Sequence, residues 1–171
     1  MGAYDEIRTD RLVLRRWQPE DRDPFAALCA DPEVMEHFPS TLSRAEADAW
    51  ADAVELHFNE HGYGLWAMDV DGCFAGFTGL RWSELLGHQE LEVAWRLARW
   101  AWGHGYATEG ATAALAIGLE GSDTVASWTA VTNQRSWRVM EKLGMRRERE
   151  FDHPRVPEGS PLRRHYLYRT P

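Results

Sequence analysis

The chain has 171 residues, 44% hydrophobic and 27% charged, which is enough to bury one core without disulfide or metal staples and too hydrophobic for a disordered chain. Its formal net charge of −8 argues against general nucleic-acid binding, whose affinity comes from Lys and Arg neutralising phosphates. No apolar run approaches the roughly 18 residues of a membrane span, the start MGAYDEIRTDRLVL lacks a basic region followed by an apolar one, and Cys29 and Cys73 match no metal or redox spacing. The expectation is a reduced, cytoplasmic protein of one domain spanning 1–171, with no membrane, nucleic-acid or metal partner.

In chain order, 8–17 (RTDRLVLRRW) alternates enough for a first strand, and PEDRDPFAALCADPEVMEHF reads as one or two short helices broken near Asp31-Pro32. Ser43-Arg-Ala-Glu46 is a capping-box signature for a helix ending near His61-Gly62. GLWAMDV, the turn Asp71-Gly72 and CFAGFTGLRW predict a β-hairpin, followed by a strand over 89–97 (QELEVAWRL). A long Ala-rich helix is expected from about Tyr106 to Leu119, then a strand over 125–131 and a helix over 133–144 stopped by Gly144. MRRERE and LRRHYLYR read as two closing strands around the loop DHPRVPEGSP. The order β-α-α-β-β-β-α-β-α-β-β implies a mixed sheet with helices on its faces.

The stretch ELEVAWRLARWAWGHGYATEG carries the most chemistry. A strand passes through a turn holding Gly103 and Gly105 into a helix N-terminus, where free N–H groups and the positive end of the helix dipole favour an anion. Glycine lets the backbone come close to a phosphate, and Thr108 adds a hydroxyl in the first turn. No lysine follows for a Walker A loop, and Thr108 stands where a dinucleotide fingerprint needs its third glycine. A plain glycine-softened connection between strand and helix would have the same pattern.

Taken together, four blocks in order resemble the GCN5-related N-acetyltransferase (GNAT) superfamily, closest to its RimJ/RimL-type branch of ribosomal-protein N-terminal acetyltransferases. RTDRLVLRRWQPEDRDPFAAL resembles that branch's opening; LEVAWRL with WGHGYATEG resembles the acyl-CoA-binding block; TNQRSWRVMEKLGM resembles the next block; and FDHPRVPEGSPLRRHYLYR is similar to the closing hairpin of one subgroup. The resemblance implies a mixed, mostly antiparallel sheet with helices on both faces, split between the fourth and fifth strands, with acetyl-CoA lying in the split. It implies that the backbone from Arg99 through Gly103, His104 and Gly105 to Tyr106 cradles the pyrophosphate with Thr108 assisting. Trp95–Leu97 would pair with the pantetheine arm, and Asn133 would hydrogen-bond it. One departure is Trp100, where the family usually has Gln or Arg.

An amine acceptor with a pKa of about 10 must lose a proton before it attacks a thioester. The resemblance puts Glu92 at the position of the base. Met140 stands where the superfamily often has a tyrosine acid, leaving Ser136, matching the branch's Asn-x-x-Ser pattern, as candidate acid. An N–H near Leu97 would polarise the thioester carbonyl. Neither cysteine lies in these blocks, so direct attack without an acyl-enzyme is expected.

Plainer roles exist for the same residues. Asn133 is a good helix N-cap, Ser136 an ordinary first-turn serine, and Glu90 shares a strand face with Glu92. His57 and His61 have a helical spacing that could take a metal but lack a third ligand. His37 and His153 fall in segments that line the acceptor cleft in this superfamily. The rival readings are a non-catalytic CoA-binding scaffold of the same fold and a different nucleotide-dependent enzyme. The identity of the acceptor is open, and a homodimer is compatible with the branch and the tryptophan content.

Overall fold

The computed structural model describes residue 2 and residues 4–171. In chain order these form β1 (Glu6–Arg8), β2 (Val13–Arg15), α1 (Arg22–Ala30), α2 (Arg44–His61), β3 (Leu65–Val70), β4 (Cys73–Leu85), β5 (His88–Leu97), α3 (Tyr106–Gly121), β6 (Ala126–Ala130), α4 (Gln134–Lys142), β7 (Arg146–Asp152) and β8 (Arg164–Arg169). Short 3₁₀ turns precede α1 at Pro19–Asp21 and follow β5 at Arg99–Ala101.

The single first strand expected over 8–17 is instead a small antiparallel hairpin, with Ile7 opposite Leu14. Its bend comes from Thr9, whose N–H bonds to the Leu12 carbonyl (3.0 Å) and whose hydroxyl donates to Glu109 of α3 (2.6 Å). The other local signals act as expected. Ser43 Oγ accepts from the Glu46 N–H while the Glu46 carboxylate accepts from the Ser43 N–H, and α2 closes on Gly62 in the left-handed conformation. Asp71 and Gly72 both have positive φ, the backbone a two-residue hairpin needs between right-twisted strands.

All eight strands join one sheet in the order β1-β2-β3-β4-β5-β6-β8-β7. Neighbours are antiparallel except β5 and β6, which run parallel and register at one pair, Glu92 opposite Ala126. This is the expected parting of the fourth and fifth strands, displaced by one in number because the first became two. Past that pair the strands diverge, and Ser127 Oγ reaches across to the Val93 carbonyl (2.9 Å) where a backbone partner would otherwise be.

Alternation along β4 explains the layers. Phe77 faces α1 and α2, with its ring 6.2 Å from Phe25 and 4.7 Å from Trp50. Thr78 and Leu80 face α3 on the opposite side. There a Cβ on Gly110 would lie 2.8 Å from Thr78 Cγ2, so the helix seats this closely only with glycine. Trp66 is buried in this core and Trp17 and Trp50 pack against it, three of the nine tryptophans. One edge of the sheet is β7, whose RRERE run is exposed and deters pairing with other chains by charge.

Candidate active site

The parting of β5 and β6 opens into a cleft of about 800 Å³. Its lining includes nine residues marked out by sequence: Glu92, Trp95, Leu97, Gly103, Gly105, Tyr106, Thr108, Asn133 and Ser136. Two do not line it. Arg99 turns away to hold Asp31 and Glu33 (both 2.7 Å), and His104 points outward, stacked on Tyr106 at 5.3 Å between ring centroids. Trp100 is 52% exposed and Met140 is core, so neither supplies chemistry here.

At one end of the cleft Gly105 caps α3 with φ 83°, and Gly103 has φ 79°. The N–H groups of Tyr106, Ala107 and Thr108 follow, with no preceding helical turn to bond to. Sequence reading missed the brace behind them. Arg11 donates to the His104 carbonyl (2.8 Å) and to Glu109 (2.7 Å), lying 4.9 Å over the Tyr106 ring. Arg135, Arg138 and Lys142, three cations on α4, also line the cleft. Their spacing of three and four places them on one helix face, a signal present in the sequence. Helix N-terminus and cations together make this end fit a polyphosphate.

Asn133 caps α4 as expected, its Oδ1 accepting from the Ser136 N–H (3.3 Å) and its Nδ2 donating to Thr129 Oγ1 (3.0 Å). The Ser136 hydroxyl bonds to no other described residue. At the opposite end Glu92 is 5% exposed, and its Oε2 accepts from Arg81 Nε and Ser83 Oγ, both at 2.7 Å. Its Oε1 takes no hydrogen bond from a described residue, and the carboxylate faces the cleft. Glu90 shares the face but pairs with Arg169 of β8, outside the cleft. That geometry separates the two glutamates where alternation left them equal.

His37 and His153 both line the cleft, and so does His165, which sequence reading passed over. His165 lies 4.8 Å from His153 between ring centroids, the planes tilted by 46°, and hydrogen-bonds to the Arg163 carbonyl through Nδ1 (3.1 Å). Burial pushes its pKa down to about 4. Above pH 6.5, the ordinary histidine value, neither folded nor unfolded chain protonates this ring. Between 6.5 and 4 only the unfolded chain does, so stability falls as pH falls through that window. Unfolding free energies from denaturant titrations between pH 7 and 4.5 should therefore drop less steeply for His165→Gln, by at most about 1.4 kcal/mol per pH unit. Parallel profiles would mean His165 titrates normally.

His57 and His61 form no metal site. The Nδ1 of His57 bonds the Tyr63 carbonyl (3.0 Å) and its Nε2 accepts from the Trp82 N–H (3.2 Å), so both nitrogens are taken within the fold. No cluster among the described residues has three metal-ligating side chains.

Comparison with known proteins gives the family and the fold. The GNAT acetyltransferase domain family model matches residues 11–146. The Bacillus subtilis protein YkkB is 33% identical over 154 residues, covering 85% of this chain and 87% of its own. A GNAT-family structure from Bordetella pertussis superposes with a TM-score of 0.79 at 22% identity, over 98% of this chain and 99% of that one. The ribosomal-protein acetyltransferase RimL, solved with coenzyme A, superposes with a TM-score of 0.77 at 16% identity, over 96% of both chains.

Proposed function

The chain belongs to the GNAT acetyltransferase family, and from that membership we propose that it transfers an acetyl group from acetyl-CoA directly to a primary amine. One observation carries the reading. A single cleft joins an anion-favouring helix N-terminus to a buried carboxylate along a strand edge that β6 leaves unpaired. The Gly103–Tyr106 turn and Thr108 hold the pyrophosphate, with Arg135, Arg138 and Lys142 adding positive charge on the same wall. The edge from Trp95 to Leu97 offers backbone groups to the pantetheine arm, and Asn133 adds an amide. No metal enters the scheme.

Glu92 accepts the proton of the incoming ammonium, directly or through water, at the oxygen that Arg81 and Ser83 leave free. The backbone N–H near Leu97 stabilises charge on the thioester oxygen, and Ser136 protonates the departing thiolate. Neither thiol competes as nucleophile: Cys29 is buried, which raises its pKa, and Cys73 is exposed at the β3–β4 turn. Among the described residues no helix is long and apolar enough to cross a membrane, and a cytoplasmic enzyme is the setting we assign.

The test is calorimetric titration with acetyl-CoA, with ATP and NAD as controls, followed by turnover on an amine panel. Saturable binding of acetyl-CoA alone with amine-dependent CoA release is expected. Ser136→Ala should then lower kcat by about 100-fold or more with little change in acetyl-CoA affinity. Binding without turnover on any amine would reduce the protein to a CoA-binding scaffold. Preference for ATP or NAD would overturn the cofactor assignment.

A further inference from the structure

We propose that Arg96 is the residue that recognises the acceptor, and that the acceptor is an amine carrying a carboxylate, such as an amino acid or a short peptide. The inference rests on the amine acetylation proposed above and names the substrate class of that same cleft.

On β5, Glu92, Ala94 and Arg96 alternate onto one face and all three line the cleft. The arginine is walled by aromatic rings: its guanidinium carbon lies 4.4 Å from the centroid of Phe38, 5.5 Å from Phe77 and 5.9 Å from Trp50. These contacts cover its faces without supplying an anion. Nη1 donates to Cys29 Sγ at 3.3 Å, a weak acceptor held as a neutral thiol by burial. Its Nε is buried and has no hydrogen-bond partner. Nε and Nη2 form the edge of a guanidinium that takes a carboxylate side-on through two parallel hydrogen bonds, and among the described residues no acceptor bonds to Nε.

None of the acids of the cleft pairs with Arg96: Glu92 is held by Arg81 (2.7 Å), Glu33 by Arg99 (2.7 Å), and Glu36 is exposed to solvent. A largely desolvated arginine without a counter-charge is costly, and desolvation lowers its pKa. A carboxylate entering the cleft supplies the missing charge. The aromatic wall would pack the apolar part of the same molecule, while Glu92, four residues or two pleat repeats away along the strand, keeps one carboxylate oxygen for its amine.

The experiment measures acetylation of three acids, each against its own amide: L-phenylalanine, glycyl-phenylalanine and 6-aminohexanoate. In the wild type at least one acid should exceed its amide by about 100-fold in kcat/KM, the loss expected when a charged hydrogen-bonded partner is removed. In Arg96→Met that preference should fall to about one, and Arg96→Lys should restore part of it. Because Met removes an uncompensated buried charge from an aromatic nest, its Tm should rise by about 2–4 °C. A retained acid preference in Arg96→Met, or a lowered Tm with the wild-type preference intact, would assign Arg96 to structure alone. Equal turnover of acids and amides by the wild type overturns the substrate class and leaves amine acetylation standing. Failure to acetylate any amine, with acetyl-CoA still bound, removes both readings.

Discussion

Gly105→Val should weaken acetyl-CoA binding by at least about 100-fold in a calorimetric titration, the equivalent of two charge-assisted hydrogen bonds. Gly105 has φ 83°, and a left-handed backbone costs a residue with a Cβ about 1–2 kcal/mol, more for a β-branched one. The new Cβ would meet Arg11 Nη2 at 3.4 Å, so the protein itself leaves it room. The damage falls on the ligand: the Val methyls occupy the space a phosphate needs, and the strained turn redirects the N–H groups of Tyr106–Thr108. Gly62→Val is the matched control. Gly62 has φ 75°, a Cβ added there would meet nothing within 4 Å, and the residue closes α2 away from the cleft. This variant should lose comparable stability while binding acetyl-CoA normally. Equal affinity in wild type and Gly105→Val would remove the turn from the cofactor site.

Glu92→Gln should lower kcat by about 100-fold to 1,000-fold, the range of a lost general base, with KM for acetyl-CoA little affected. The amide oxygen of Gln can still accept from Arg81 Nε and Ser83 Oγ, so the side chain is expected to keep its place. What it loses is the ability to take a proton at the oxygen facing the cleft. The acidic limb of the wild-type pH–rate profile should therefore flatten in the variant. A lowered kcat with an unchanged pH profile would make Glu92 a positioning residue that anchors Arg81, and another cleft group, with neutral His165 the nearest in kind, would be the base.

The glycine-turn end of the cleft was legible in the sequence because its determinants are local. A strand, two glycines with positive φ and a helix start lie within about a dozen consecutive residues, and the N–H groups they expose need no distant partner. Asn133 reads equally well, since a cap is defined by residues three apart. Arg99 shows the limit of such reading. It sits in the right segment, but its side chain is drawn to Asp31 and Glu33, 68 and 66 residues earlier in the chain. The brace by Arg11 was invisible for the same reason, being made by contacts 93 and 98 residues apart.

By itself, then, the sequence determined the family, the order and type of nearly every element, and the cap and turn chemistry, including the two-glycine turn that opens α3. All of these depend on residue spacing along one strand, turn or helix, where backbone geometry converts sequence distance directly into spatial distance. Only the tertiary structure decided that the first strand breaks into a hairpin, that Glu92 rather than Glu90 faces the cleft, and that Arg96 stands there without a counter-charge. Each of those outcomes depends on which side chains arrive from elsewhere: Glu109 onto Thr9, Arg81 onto Glu92 and Arg169 onto Glu90, and three aromatic rings, but among the described residues no carboxylate, onto Arg96. Charge pairing and burial are properties of the packed molecule, and spacing along the chain does not encode them.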